Sequence, residues 1–327
     1  MRFGLFVSAQ YPAADDPVAR AREHLEQVQL VRDGGFRSVF AGQHFLSEPY
    51  AMLQPVPLLA RLAAEAGEMR VGAGILLLPL LNPVEVAEQA ATLDVLTGGR
   101  FVLGVGLGYR REEDEAFAIG ERRVRTFVQK LDVVRRLLEG EEVTASGPGY
   151  RLDGARLALR PVQRPRPPIW MAANNDSAVR RAARLADTWY VNPHVSVQEV
   201  ERQLALFRAE RGSEPEELPL MREACVAPTN EEAFALARPY LAPKYATYVD
   251  WGQSDVLPPS DTLRREWEDL HADRFIVGSP ETAVARIQAL RDLGVTELVL
   301  RVQWPGMAHR DAMRTLELFV EDVLPHA

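Results

Sequence analysis

Hydrophobic positions along the chain fall into short continuous runs, separated by longer stretches in which they recur every three or four residues. Runs at 2–8, 38–42, 70–77, 100–108, 168–173, 188–192, 219–227 and 296–302 are apolar with little alternation. Such runs predict parallel strands covered on both faces. The intervening stretches carry helix starts. Asp16-Pro17 sets a cap and a first-turn proline before a helix with Ala21, Leu25, Val28 and Val31 on one stripe, and Gly34 can end it. Asn82-Pro83, with Glu85 in the capping-box place, repeats the device, as does Ser279-Pro280 ahead of Val284, Ile287 and Leu290. Helical periodicity also covers 124–140 and 312–324. Eight strands alternating with helices predict an α/β fold of the (β/α)8 TIM-barrel type with insertions, one domain over 1–327. The insertions lie at about 140–167, read as a hairpin and a proline-rich run, and at 247–275, a candidate lid.

Glycines interrupt this pattern where packing would want side chains. Gly72 and Gly74 share one face of their strand, and Gly104, Gly106 and Gly108 share one face of the next. Packing between strands accounts for Gly72 and Gly104. At the C-terminal strand ends, where barrel sites lie, Gly74, Gly106 and Gly108 predict room for a flat ligand against bare main chain. "GVGLG" is not a dinucleotide fingerprint, because its spacing is GxGxG and no helix cap follows. Further on, Ala173, Asn174, Asn175, Asp176 and Ser177 lead from a strand into a helix. The free amides of its first turn suit a phosphate, with the Ser177 hydroxyl donating and Asp176 turned away; ordinary capping by Asn175 or Asp176 is the other reading. A planar phosphorylated cofactor would join the two features.

Composition narrows the partners. With 38 basic and 46 acidic residues among 327, the net charge is −8, which argues against nucleic acid and membrane surfaces. Lys130 and Lys244 are the only lysines, so nearly all positive charge is arginine, interspersed with carboxylates. Cys225 is the only cysteine, so no internal disulfide can form and a cytoplasmic location is expected. The start lacks the apolar core of a signal peptide, and the longest apolar run is broken by proline.

The stretches "GILLLPLLNPVEVAEQAATLDVLTGGRFVLGVGLGY" (74–109), "GFRSVFAGQHF" (35–45), "PIWMAANNDSAVRRAARLADTW" (168–189) and "RDLGVTELVLRVQWPGM" (291–307) resemble the luciferase-like flavin-dependent monooxygenase superfamily. The resemblance implies reduced FMN, or in a sister group the deazaflavin coenzyme F-420, and assembly as a homodimer. It implies a non-proline cis peptide at Gly74-Ile75, ring-edge contacts from Gly106, Leu107, Gly108 and Tyr109, and a phosphate loop over Ala173–Ser177. Luciferase has a phosphate-binding arginine where this chain has Leu107. In the second-strand motif, His44 matches the shared histidine, and Gln43 replaces a neighbour used catalytically in luciferase. An imidazole exchanges protons near neutrality and an amide does not, so His44 is the expected proton-handling residue and Gln43 an orienting one.

The remaining histidines are scattered without metal-ligand spacing, so no metal is expected. "REEDEAF" (111–117) reads as a solvated helix start, and Cys225 as core. Tyr109, Asn192, Arg301 and Trp304 sit at strand ends, where they would line a substrate pocket together with 45–54, 109–121 and 247–275. These readings converge on a flavin-dependent monooxygenase that uses dioxygen on a small organic substrate; if the flavin is only a transient guest, a separate reductase supplies it. Deazaflavin-dependent hydride transfer and a nonenzymatic flavin-binding protein are the alternatives. A metal-free aldolase or isomerase would want a buried lysine or a chosen carboxylate pair, and neither stands out in the sequence.

Overall fold

The eight apolar runs become strands β1 (Arg2–Phe6), β2 (Ser38–Ala41), β3 (Arg70–Ala73), β4 (Phe101–Gly106), β5 (Ile169–Ala173), β6 (Thr188–Val191), β7 (Pro219–Val226) and β8 (Glu297–Arg301) in a computed structural model describing residues 1–327. All pair in parallel with their neighbours, β8 with β1 and β4 with β5, so the sheet closes into a barrel. Closure leaves no edge among these strands, and the helices cover the outside. The caps form where the sequence places them. Asp16, Asn82 and Ser279 side chains accept from the amides of Val18, Val84 and Thr282. The stripes are shifted: Val28 and Val31 are buried but His24 and Gln27 replace Ala21 and Leu25, and Ala283 replaces Val284.

Two strand expectations are corrected. The run at 70–77 breaks after Ala73, and Leu76–Leu77 forms a separate short strand against β4. The break holds a non-proline cis peptide at Gly74-Ile75. A strand over Ile276–Gly278, unseen in the sequence, pairs with Ala224, Cys225 and Val226 at the upper end of β7. The first insertion is the expected hairpin, Val143–Gly147 against Tyr150–Ala155. The second comprises the end of the helix Asn230–Asp250, two short 3-10 turns and the helix Trp267–Arg274.

Inside the barrel, Phe6, Phe40, Trp170, Tyr190, Met221 and Val299 pack into one buried cluster. Each contributes about 2 kcal/mol through removal of apolar surface from water. Beneath them, at the N-terminal ends of the strands, buried Glu297 accepts from Ser38 Oγ at 2.5 Å and Arg2 Nε at 3.1 Å, and pairs with Arg70 at 3.4 Å. That end is therefore closed. No helix is long and apolar enough to cross a membrane.

Candidate active site

A cavity of ≈ 300 Å³ opens at the C-terminal ends of the strands. His44, Gln43, Gly74, Ile75, Gly106, Leu107, Gly108, Tyr109, Ala173, Asn174, Asn175, Asn192 and Arg301 all line it. Asp176, Ser177 and Trp304 do not. The irregular stretches contribute Met52, Tyr109, Tyr248, Gln253 and Val256.

Two glycines near this end make room for protein instead of ligand. A Cβ on Gly72 would lie 2.1 Å from the Phe40 ring, and one on Gly104 would lie 2.0 Å from the Ala73 carbonyl oxygen. That matches the packing reading. Gly106, expected to be cleared for a ligand, is partly covered: its Cβ would meet Ile75 Cδ1 at 2.1 Å. Ile75 turns onto Gly106 as the chain leaves the broken third strand. Gly108 lies open on the cavity with φ +75°, a conformation that favours glycine.

At the helix Asp176–Leu185, Asn175 Oδ1 accepts from Ala178 N at 3.1 Å, and Asn175 O accepts from Val179 N. The first two amides, of Asp176 and Ser177, have no such partner. The Asp176 carboxylate is drawn aside by Arg202, which donates to it at 3.0 Å and holds it below the usual carboxylate range. The Ser177 hydroxyl donates to Asn175 Oδ1 at 2.8 Å and is not turned into the cavity. Arg123, which sequence reading passed over, also lines the cavity; it donates to the Gly108 carbonyl at 2.9 Å and pairs with Asp114.

His44 Nδ1 lies 3.0 Å from Glu113 Oε1, and the same oxygen accepts from Phe45 N at 2.9 Å. Glu113 is 1% exposed, the exception in a helix, Arg111–Ala116, whose Arg111, Glu112 and Glu115 are solvated as the sequence suggests. Its segment folds back because buried Arg110 donates to the carbonyls of Phe45 and Leu46 and stacks over Trp251 at 4.1 Å. Rings of Tyr109, Tyr248 and Trp251 surround the imidazole. One ring nitrogen is thus held by a carboxylate, leaving Nε2 for a ligand. Gln43 is committed at both ends: Oε1 accepts from Leu77 N, Nε2 donates to Gln54 Oε1, and Gln54 in turn donates to the His44 carbonyl. It braces the histidine's segment.

Across the cavity lies a buried charge cluster absent from the sequence reading. Glu223 accepts from Lys244, from Arg301 at 3.3 Å and from the Trp304 indole at 2.6 Å, which is why Trp304 faces away from the cavity. Burial would raise the Glu223 carboxyl, but Lys244 and Arg301 hold it below its usual range. Burial and Arg301 push the Lys244 ammonium down to about 7 against the attraction of Glu223. His194 is kept neutral by burial and by the surrounding cations. Sequence reading found no buried lysine; this one, however, lies outside the cavity lining and is matched by a carboxylate.

The profile of the luciferase-like monooxygenase family matches residues 1–297. A curated relative, the oxygenase component of flavin-dependent trigonelline monooxygenase from Acinetobacter baylyi, is 24% identical over 99% of this chain and 95% of its own length. Among solved structures, the monooxygenase RslO1 from Streptomyces bottropensis superposes with TM-score 0.87 at 25% identity over 100% of this chain and 99% of that one. The oxygenating constituent of 3,6-diketocamphane monooxygenase from Pseudomonas putida, in complex with FMN, gives TM-score 0.79 at 18% identity over 99% and 98%. An F-420-dependent secondary alcohol dehydrogenase gives the same TM-score at 19% identity, again over 99% and 98%. With nine-tenths of its length matched and its barrel shared, the chain belongs to the luciferase-like monooxygenase family.

Proposed function

We propose that the protein is a flavin-dependent monooxygenase acting on a small organic substrate, with reduced FMN held along the β3–β5 side of the cavity. One observation carries this reading: a single cavity unites Gly74 and Gly108, the start of the helix after β5, and an imidazole braced by a buried carboxylate. These residues fit the cofactor. Main chain at Gly74-Ile75 and Gly106–Tyr109 would bear the ring, and the phosphate would pass Asn175 and Arg123 in the lining to meet the amides of Asp176 and Ser177 beyond it. Arg123 supplies the cation that Leu107 cannot, and Arg202 keeps the Asp176 charge out of the anion's way.

When bound, reduced FMN supplies the electrons that let dioxygen deliver one oxygen atom to substrate and one to water. The chain's own contribution is to orient, to exclude water and to move a proton. Tyr109, Tyr248 and Trp251 wall off solvent around His44, and His44 Nε2 exchanges a proton at the reacting edge while Glu113 steadies the imidazolium. A separate reductase and a homodimeric assembly belong to the same proposal; the naming of the curated relative as an oxygenase component supports the former.

Deazaflavin-dependent hydride transfer is the second reading, because the same barrel serves an F-420-dependent dehydrogenase. Anaerobic titration with reduced FMN and with reduced F-420, followed by admission of oxygen, decides between them. Selective FMN binding and oxygen consumption above the free-flavin background are expected; selective tight binding of F-420 would overturn the proposal.

A further inference from the structure

The cavity wall opposite the proposed flavin side carries donors without acceptors. Arg301 Nε, Gln10 Nε2 and both His194 ring nitrogens are buried, belong to lining residues, and have no partner. Gln10 Oε1 is occupied by the Tyr248 hydroxyl at 3.0 Å, so the amide end remaining to it is the donating one. Only His194 in this set can accept. Buried polar groups left without partners are costly, and a consistent set of donors around a cavity describes the ligand that satisfies them.

The charges around this wall are compatible with an anion. Behind this wall stand Lys244, Arg222, Arg274 and Arg301, and facing them are the buried carboxylates Glu223 and Asp261 and the part-exposed Asp273. Arg274 takes both aspartates. Lys244 and Arg301 share Glu223, and Arg222 has only the carbonyls of Asn192 and Met221, its Nη2 unpartnered. Arg222, Arg274 and Arg301 balance the three carboxylates, and a positive charge is left without a counterion only where Lys244, pushed down to about 7, holds its proton.

Topology assigns these unpartnered donors to the substrate. In an eight-stranded barrel β8 lies opposite β4 and β1 opposite β5. Arg301 ends β8 and Gln10 follows β1, whereas the flavin side is built from β3, β4 and β5. We propose that this wall is a substrate subsite for a small organic carboxylate, with Arg301 as its charged anchor and Gln10 and His194 as orienting donors. The assignment of this wall to substrate rests on the flavin reading above; the anion preference does not.

The test uses acids paired with neutral amides of the same shape: acetate with acetamide, benzoate with benzamide, phenylacetate with phenylacetamide. Binding is followed on FMN-loaded protein by flavin absorbance and on flavin-free protein by tryptophan fluorescence. At least one acid should bind about tenfold or more tightly than its amide, a margin ordinary for a charge-assisted hydrogen bond. Arg301→Met should abolish the preference and Arg301→Lys retain part of it, both with FMN affinity within about twofold of the parent. Equal binding of acid and amide in every pair, a comparison needing no variant, overturns the proposal. So does an Arg301→Met protein that loses FMN while keeping its preference for acids. If FMN fails to bind at all, the flavin reading falls while the flavin-free titration still decides the subsite.

Discussion

Glu113 Oε1 lies 3.0 Å from His44 Nδ1 across 69 residues of chain, and the carboxylate is more deeply buried than the imidazole it holds. A buried carboxylate on Nδ1 selects the tautomer and steadies the charge when Nε2 takes a proton. His44→Ala should therefore lower flavin-supported oxygen consumption by about 100-fold and Glu113→Gln by about tenfold, with FMN affinity retained. Unchanged consumption in both variants would remove the pair from the chemistry.

Two glycines on one face of β4 should respond differently to alanine. At Gly104 the new methyl meets the Ala73 carbonyl oxygen at 2.0 Å, and backbone cannot move aside cheaply. Gly104→Ala should cost about 1–3 kcal/mol, read as a shift in urea midpoint. At Gly106 the obstacle is the far end of Ile75, which can swing into the cavity. Gly106→Ala should leave the midpoint nearly unchanged and weaken FMN binding. A Gly104→Ala protein as stable as its parent would contradict the packing account.

The strands were legible because burial on both faces leaves continuous apolar runs, and the helix starts because Asp16, Asn82 and Ser279 precede proline at the cap position. Gly108 was legible as cavity backbone, Gly74 and Gly106 only in part, since Phe6, Phe40 and Tyr190 crowd the place of a Gly74 side chain and Ile75 that of Gly106. Glu113 was not legible: a carboxylate in "REEDEAF" has the local pattern of a solvated helix start, and its burial depends on Arg110 pinning a segment far away in sequence. The charge cluster had a compositional signal that went unused. In a chain that otherwise uses arginine, both lysines, Lys130 and Lys244, are buried.

Lys244 makes stability depend on pH. Burial and Arg301 bring it from its ordinary 10.5 to about 7 in the folded protein. Below about 7 the lysine is charged in both states and the penalty is carried in full. Between about 7 and 10.5 the unfolded chain binds the proton that the folded chain has released, so stability rises with pH across that window. Urea unfolding at pH 6, 8 and 10 should show the parent gaining on Lys244→Met as pH increases. Parallel curves would mean that the lysine titrates normally.

Cys225 is fully buried in β7, beside Thr315, and burial pushes its thiol up to about 11. It should not react with iodoacetamide at pH 8 in the native state and should react promptly in denaturant. Fast labelling of the native protein would show that β7 opens readily.

The barrel has a floor: Phe6, Tyr190 and Met221 border the cavity from below, and the Glu297 ion network seals the strand ends beneath them. A chamber sealed from below imposes an order on its traffic. Whatever comes to rest deepest must arrive before the doorway is filled, and it departs only after the later arrival has gone.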